Sequence, residues 1–320
     1  MAVFILFLLL SCTLCYLMAA GPAFALVVAI VWGAILIIGG KHLQRPQLLV
    51  IFAVNIAVIY YLGGLVFSLF IMALSGLAMM IMSYMLWRGA KYYELLRAGI
   101  AIAVVGLSVF LGITLFQDQE DWKQGVQNEI NTYIEESMQD FDKSGLAELY
   151  AEQGITRESF IENAQKVSGA ILNHLWAIFY LQVIMTVFFA LLLAVFINRK
   201  SGDERLKKKP FSQEIMAWQL VWVIIAGLAL CLWGNQQGND QLFYIGSNIL
   251  VVLVPVTVYY GLAAVIYKIG QMRPTARRWF TVILVILGTF FLPSALIFFS
   301  IFGMFDALLD YRKLRIEKGD

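Results

Sequence analysis

Charge is scarce in this 320-residue chain: Asp, Glu, Lys and Arg together make up 14%, where a soluble domain carries about 25%. Hydrophobic residues reach 61% and mean hydropathy is +0.80. A water-soluble core of this size cannot hide so much apolar surface, so lipid is the solvent for most of it. Histidine is almost missing. His42 and His174 are the only two, and neither stands in a metal-ligand set. Cys12, Cys15 and Cys231 all lie in apolar runs, and no second Cys or His pair completes a zinc site with Cys12 and Cys15. Leu9-Leu10-Ser11-Cys12 has the outline of a lipoprotein cleavage box, but no basic residue precedes it and a second apolar run follows. The N-terminus therefore reads as a retained helix. A net charge of +2 gives no footing for nucleic acid.

Signature motifs are missing as well. There is no P-loop, GxSxG, HExxH, Gly-rich dinucleotide loop or DxDxDG-like calcium loop. The expectation is a protein that is not an enzyme and has no metal and no cofactor. Ionisable residues are also missing from the depths of the apolar runs. Ion-driven carriers and proton pumps usually need one there, which argues against an autonomous secondary transporter.

What is present is a succession of runs long enough to span a bilayer, each about 20 mostly apolar residues. The uncharged stretch from Ala2 to Ile38 is broken at Gly21-Pro22, giving helices over 2–20 and 23–39. Gln47 to Trp87 is again about two helices long, with Gly63-Gly64 as the break. A fifth helix covers about 98–116. Four more follow at 171–197, 216–234, 242–268 and 279–305, with Pro293 near the middle of the last. The fold class is thus all-α, a polytopic transmembrane bundle of about nine helices with a small extracytoplasmic helical cap. The chain divides into an N-terminal bundle (1–116), an acidic cap (117–170), a C-terminal bundle (171–305) and a charged tail (306–320).

The cap stands out by charge. Gln117 to Gly169 holds twelve acidic against four basic residues, net −8. Val126, Ile130, Ile134, Met138 and Phe141 recur at helical spacing along it. Ser144-Gly145 breaks that helix, Leu146, Leu149 and Tyr150 suggest a short second one, and Thr156 with Glu158 opens a third. A negative solvated face explains these acids better than a calcium site.

Basic residues mark orientation. Lys41 and Arg45, then Arg88, Lys91 and Arg97, then the Arg199 to Lys209 cluster, then Arg273, Arg277 and Arg278 follow alternate helices, whereas the loops after the first, third and seventh helices carry no Lys or Arg. Such bias marks the cytoplasmic side. The expected location is a bacterial cytoplasmic (inner) membrane, with the N-terminus inside and the acidic cap outside. The 199–210 segment reads as a solvated basic loop. Nine passes place Arg312, Lys313, Arg315 and Lys318 outside, against the rule. A break at Pro293 that turns the last run into a hairpin would bring them back inside.

Polar residues in the spans are few, so each is a candidate site residue. Asn55, Tyr60, Gln182, Asn248 and Tyr259 are the candidates for contact with a small molecule; interhelical glue is the plainer alternative. His174 suits an interfacial position at a helix start. Small residues recur every fourth position at Ala25, Ala29 and Gly33 and at Ala53 and Ala57. Such stripes suit helix packing or docking of a second membrane subunit or another copy of the chain.

Several short stretches carry a resemblance: Tyr61-Leu62-Gly63-Gly64, Leu86-Trp87-Arg88-Gly89, Lys209-Pro210-Phe211-Ser212, Ile245-Gly246-Ser247-Asn248-Ile249-Leu250, Tyr259-Tyr260-Gly261-Leu262-Ala263, and the run from Gly303-Met304-Phe305-Asp306 to Asp310-Tyr311-Arg312. In these the chain resembles the YybS-like family of bacterial membrane proteins, which brings no established activity and no catalytic residues. The N-terminal half is similar in outline to the substrate-binding subunits of energy-coupling-factor transporters. That resemblance implies a small molecule held within a helical bundle and a partner docked on small-residue stripes. The chain departs from such subunits in its inserted cap and extra helices.

Two functional readings follow. One is a small-molecule-binding transporter subunit or permease-like protein without its own ATPase. The other is a structural or interaction protein, a scaffold in envelope assembly. An enclosed polar cavity of about 300 Å³ or more favours the first and its absence the second.

Overall fold

The computed structural model of the chain describes residues 1–21, 24–117, 121–143, 157–199 and 203–314. Among these the structure is all-helical, and eight helices are long and apolar enough to cross a membrane. Helices α1 (Ala2–Ala20) and α2 (Ala25–His42) form the first hairpin, with Lys41 and His42 in the last turn of α2, where cations suit the helix dipole. Helix α3 (Arg45–Ile71) opens with Pro46 in its first turn and a capping box between Gln44 and Gln47. It runs through a π-helical turn (Met72–Gly76) into α4 (Leu77–Trp87).

A straight helix from Arg45 to Trp87, 43 residues, would be about 65 Å long, twice the hydrocarbon thickness. It is not straight. Gly64 has φ 75° and ψ −174°, a backbone region open essentially only to glycine. Leu48 lies against Gly39 and Ser83 against Gly40, so both ends of the run stand level with the end of α2. The chain doubles back at Gly64, within the expected Gly63-Gly64 break.

Helix α5 (Tyr92–Gln117) leads to the cap helices α6 (Asp121–Lys143) and α7 (Arg157–Asn173). The expected break at Ser144-Gly145, the short helix at 146–150 and the Thr156 cap lie outside the described residues. Helix α8 (Leu175–Asn198) follows, then α9 (Gln219–Gln237) and α10 (Asp240–Gly270). Although α8 comes after the cap in sequence, it packs into the first bundle. Val183, Val187, Ala190, Leu191 and Ala194 share one apolar core with α1 to α5. Gly33 makes the close approach possible, sitting between Met79 of α4 and Ala190 of α8. Six passes thus form the first bundle.

The last run is two helices, α11 (Pro274–Phe290) and α12 (Leu292–Leu309), separated at Phe291, with Pro293 in the first turn of α12. This corrects the expected single ninth span. Helix α12 lies parallel to α10: Thr257 meets Ser300 at 2.6 Å, Gly261 abuts Phe299 and Gly303, and Lys268 Nζ reaches the Tyr311 carbonyl at 3.5 Å. The end of α12 is therefore level with the end of α10. Helix α11, about 25 Å long, carries the chain back between them. With this return, residues 311–314 share a side with Lys268. The tail therefore lies where a hairpin break at Pro293 would bring it, on the side of the loop after α10.

Candidate functional site

Three layers of polar groups interrupt the apolar bundle. The first lies near the middle of the first bundle. Trp32, Asn55 and Ser75 are 1%, 1% and 0% exposed, and among the described residues Trp32 Nε1, Asn55 Nδ2 and Ser75 Oγ have no hydrogen-bond partner. Each stands about halfway along its pass. Asn55 Oδ1 accepts from Cys12 Sγ at 3.7 Å across the α1–α3 contact. Ser75 belongs to the π-helical turn, a geometry frequent at functional sites.

The second layer joins the two bundles at the cap side. Asn173 Nδ2 donates to Tyr244 Oη at 2.9 Å, and His174 Nε2 and Ser247 Oγ are 3.0 Å apart. Asn248 Nδ2 donates to the Asn173 carbonyl at 3.3 Å, while its Oδ1 is buried without a partner. His174 is the N-cap of α8, at the helix start where the sequence puts it.

The third layer is at the opposite end, where a folded strap replaces the expected solvated basic loop. Its 203–218 part contains two short 3-10 turns (Glu204–Leu206 and Phe211–Gln213) and buries Leu206, Glu214 and Met216. Asp203 accepts from Arg205 at 2.7 Å and pairs with Lys41 at 3.5 Å, and Arg205 also donates to the Leu86 carbonyl. The Arg205 hydrogen bond, seconded by Lys41, holds the Asp203 carboxyl well below the usual carboxylate range. Further along, Tyr93 Oη donates to Glu214 at 3.0 Å and accepts from the Lys209 amide, while Lys208 reaches both Tyr259 Oη (3.0 Å) and Glu214 (3.6 Å).

Arg312 closes the strap. It is 4% exposed and donates to both carboxylate oxygens of Asp306 and to the carbonyls of Ser212 and Glu214. Asp306, expected in a charged tail, is a buried residue in the last turn of α12. Buried ionisable groups therefore do exist in this chain, at one end of the bundle. Pro210, which cannot continue a helix, and the acids among the lysines of 203–214 were the available signals that this segment folds.

The five candidate contact residues are dispersed. Asn55 is in the mid-depth layer, Asn248 in the cap-side layer and Tyr259 at the strap, packed on Phe188 and Phe211. Tyr60 is 55% exposed on the outer face of α3, and Gln182 is half-buried on α8, its carbonyl accepting from Thr186. Of the small-residue stripes, Ala29 and Gly33 are buried inside the bundle and Ala25 is half-buried, while Ala53 and Ala57 face outward. Sequence reasoning passed over Trp32, Ser75, Glu214 and Tyr93, which look like ordinary core or loop residues until the unpartnered polar atoms of the first two and the mutual hydrogen bond of the last two are known.

Two concavities among the described residues are open grooves. One, about 730 Å³, lies at the start of α11; the other, about 380 Å³, is an apolar cleft between α6 and α7. None of the five candidates lines either. Among the described residues no group of three or more His, Cys, Asp or Glu is placed to hold a metal ion. No curated protein and no solved structure matches the chain. One family does match, over residues 2–307, in keeping with the succession of membrane-spanning helices. The chain belongs to the family described as predicted membrane protein DUF2232.

Proposed function

We propose that this integral membrane protein binds a small molecule within its first bundle, as a transporter subunit or permease-like protein without its own ATPase and without catalysis of its own. The observation that carries this reading is the set of unpartnered polar groups at Trp32, Asn55 and Ser75. Leaving a polar group buried and unpaired costs about 1–3 kcal/mol, and lipid offers nothing to satisfy it. Two of the three are obligate donors, which suits an uncharged ligand rich in acceptor oxygens or ring nitrogens. The resemblance to energy-coupling-factor substrate-binding subunits implies the same use of such a bundle. Ala53 and Ala57, outward on α3, suit docking of a partner subunit or a second copy.

The test is native mass spectrometry of protein extracted gently from its own membrane. The expected result is a retained small molecule of defined mass, lost in the combined W32F, N55A and S75A variant. If the wild-type protein carries none, this reading fails. A second reading, a structural or interaction protein in envelope assembly, is favoured by one observation: neither of the two grooves is an enclosed polar chamber. It expects a copurifying protein partner in place of the small molecule.

For location, the Lys and Arg distribution supports a bacterial cytoplasmic membrane, with the strap inside and α6 and α7 outside.

A further inference from the structure

Helix α11 is unlike the other helices of the second bundle. None of its residues is buried, and it touches α10 and α12 only lightly. From Trp279 onward it is apolar on nearly every side: Phe280, Val282, Ile283, Val285, Ile286, Leu287 and Phe290 are all exposed. A helix apolar all round and unburied by protein is one that lipid covers. Its first turns are of opposite character. Arg273 is the N-cap, and Arg277 and Arg278 follow.

Arg277 and Arg278 line the groove of about 730 Å³ together with Met272, Pro274, Thr281 and Val282. Among the described residues neither arginine makes an ion pair or a side-chain hydrogen bond. The buried acid of α12, Asp306, is committed to Arg312. Two unpaired guanidinium groups therefore stand where a lipid-covered helix leaves the hydrocarbon, above a wall that is apolar toward the bilayer. Guanidinium binds phosphate oxygens through paired N–H donors, and basic pockets beside membrane helices suit acidic headgroups.

We infer that this groove is a binding site for an anionic phospholipid, whose headgroup phosphate meets Arg277 and Arg278 and whose acyl chains lie along Thr281, Val282 and the rest of α11. The occupant is a bilayer lipid because only the basic end of the groove is polar. A free phosphate would leave the apolar wall unused. This site is independent of the one proposed in the first bundle.

The experiment is native mass spectrometry of detergent-purified protein offered phosphatidylglycerol or phosphatidylcholine of the same chain length. The expected result is preferential retention of phosphatidylglycerol, reduced roughly tenfold or more in R277Q/R278Q and unchanged in R199Q, which removes an exposed charge elsewhere. Charge-conserving R277K/R278K keeps part of the preference. T281W fills the groove without touching either arginine and also lowers retention. Equal retention of the two lipids by the wild-type protein, or a preference that survives R277Q/R278Q, overturns the proposal. So does displacement of the lipid by inorganic phosphate at equal concentration, which would make the groove a free-anion site.

Discussion

At the scale of single residues, the pair formed by Asp306 and Arg312 carries more structure than its position in the sequence suggests. Arg312 satisfies a carboxylate and two strap carbonyls at once. Removing one partner of a buried pair leaves an uncompensated charge and typically costs about 3–5 kcal/mol. R312L is expected to lower the thermal midpoint of the purified protein markedly, and D306L/R312L to recover part of that loss, as read by unfolding in detergent. A double variant no better than R312L would show that the carbonyl contacts, rather than the ion pair, dominate. Asp203 offers a different readout. Its carboxyl is held below its ordinary value of 3.8, chiefly by Arg205, so its contribution is complete above that value and is lost as pH falls through the lowered one. D203N is expected to remove this acid-side dependence, with little change in the profile near neutrality.

At the scale of elements, two glycines fail to tolerate side chains for opposite reasons. Gly64 has open space around it, but its φ of 75° excludes other residues. G64A is expected to cost about 1–3 kcal/mol through backbone conformation alone, seen as a lower midpoint with the protein still monodisperse. Gly261 has an ordinary helical role but no room, since any side chain would run into the Phe299 carbonyl and Gly303 on α12. G261L is expected to separate α10 from α12 and yield aggregated protein on size exclusion. The elements themselves were legible in the sequence, because uninterrupted apolar length is a strong signal in a chain with so little charge. The Gly63-Gly64 break was legible for the same reason. The division at Phe291 was half legible: Pro293 marked a break, but nothing in the sequence says that α12 runs parallel to α10. That orientation comes from the Gly261 and Gly303 contact between elements far apart in sequence.

At the scale of the whole molecule, the parallel packing of α10 and α12 puts residues 311–314 level with Lys268. In a background lacking Cys12, Cys15 and Cys231, a cysteine at Lys313 is expected to react with an impermeant thiol reagent from the same side as one at Gln271. It should react from the side opposite to one at Gly238. Labelling of positions 313 and 238 from one side would refute the parallel arrangement. The candidate site was much less legible than the fold. Asn55 was singled out as a polar residue in an apolar run, but Trp32 and Ser75 become noticeable only when their polar atoms are found without partners. The strap was misread as solvated because its charges look unpaired in sequence; among the groups that hold them, Lys41, the Leu86 carbonyl and the Tyr93 hydroxyl lie more than a hundred residues away. Most of the short stretches that carried the resemblance prove to be junctions. Gly64 is a turn, Ser247 and Asn248 join the bundles at the cap side, and Ser212, Tyr259, Asp306 and Arg312 meet at the strap.

The closing of the strap by Arg312 also imposes an order in time. Ser212 and Glu214 are synthesised about a hundred residues before the guanidinium that satisfies their carbonyls. During translation the first bundle can complete its core as soon as α8 is inserted, while the strap waits, with Glu214 held by Tyr93 and Lys208 alone. Fastening of the strap is thus a later event than assembly of the first bundle. A chain lacking Arg312 would keep its helices and leave that latch unfastened.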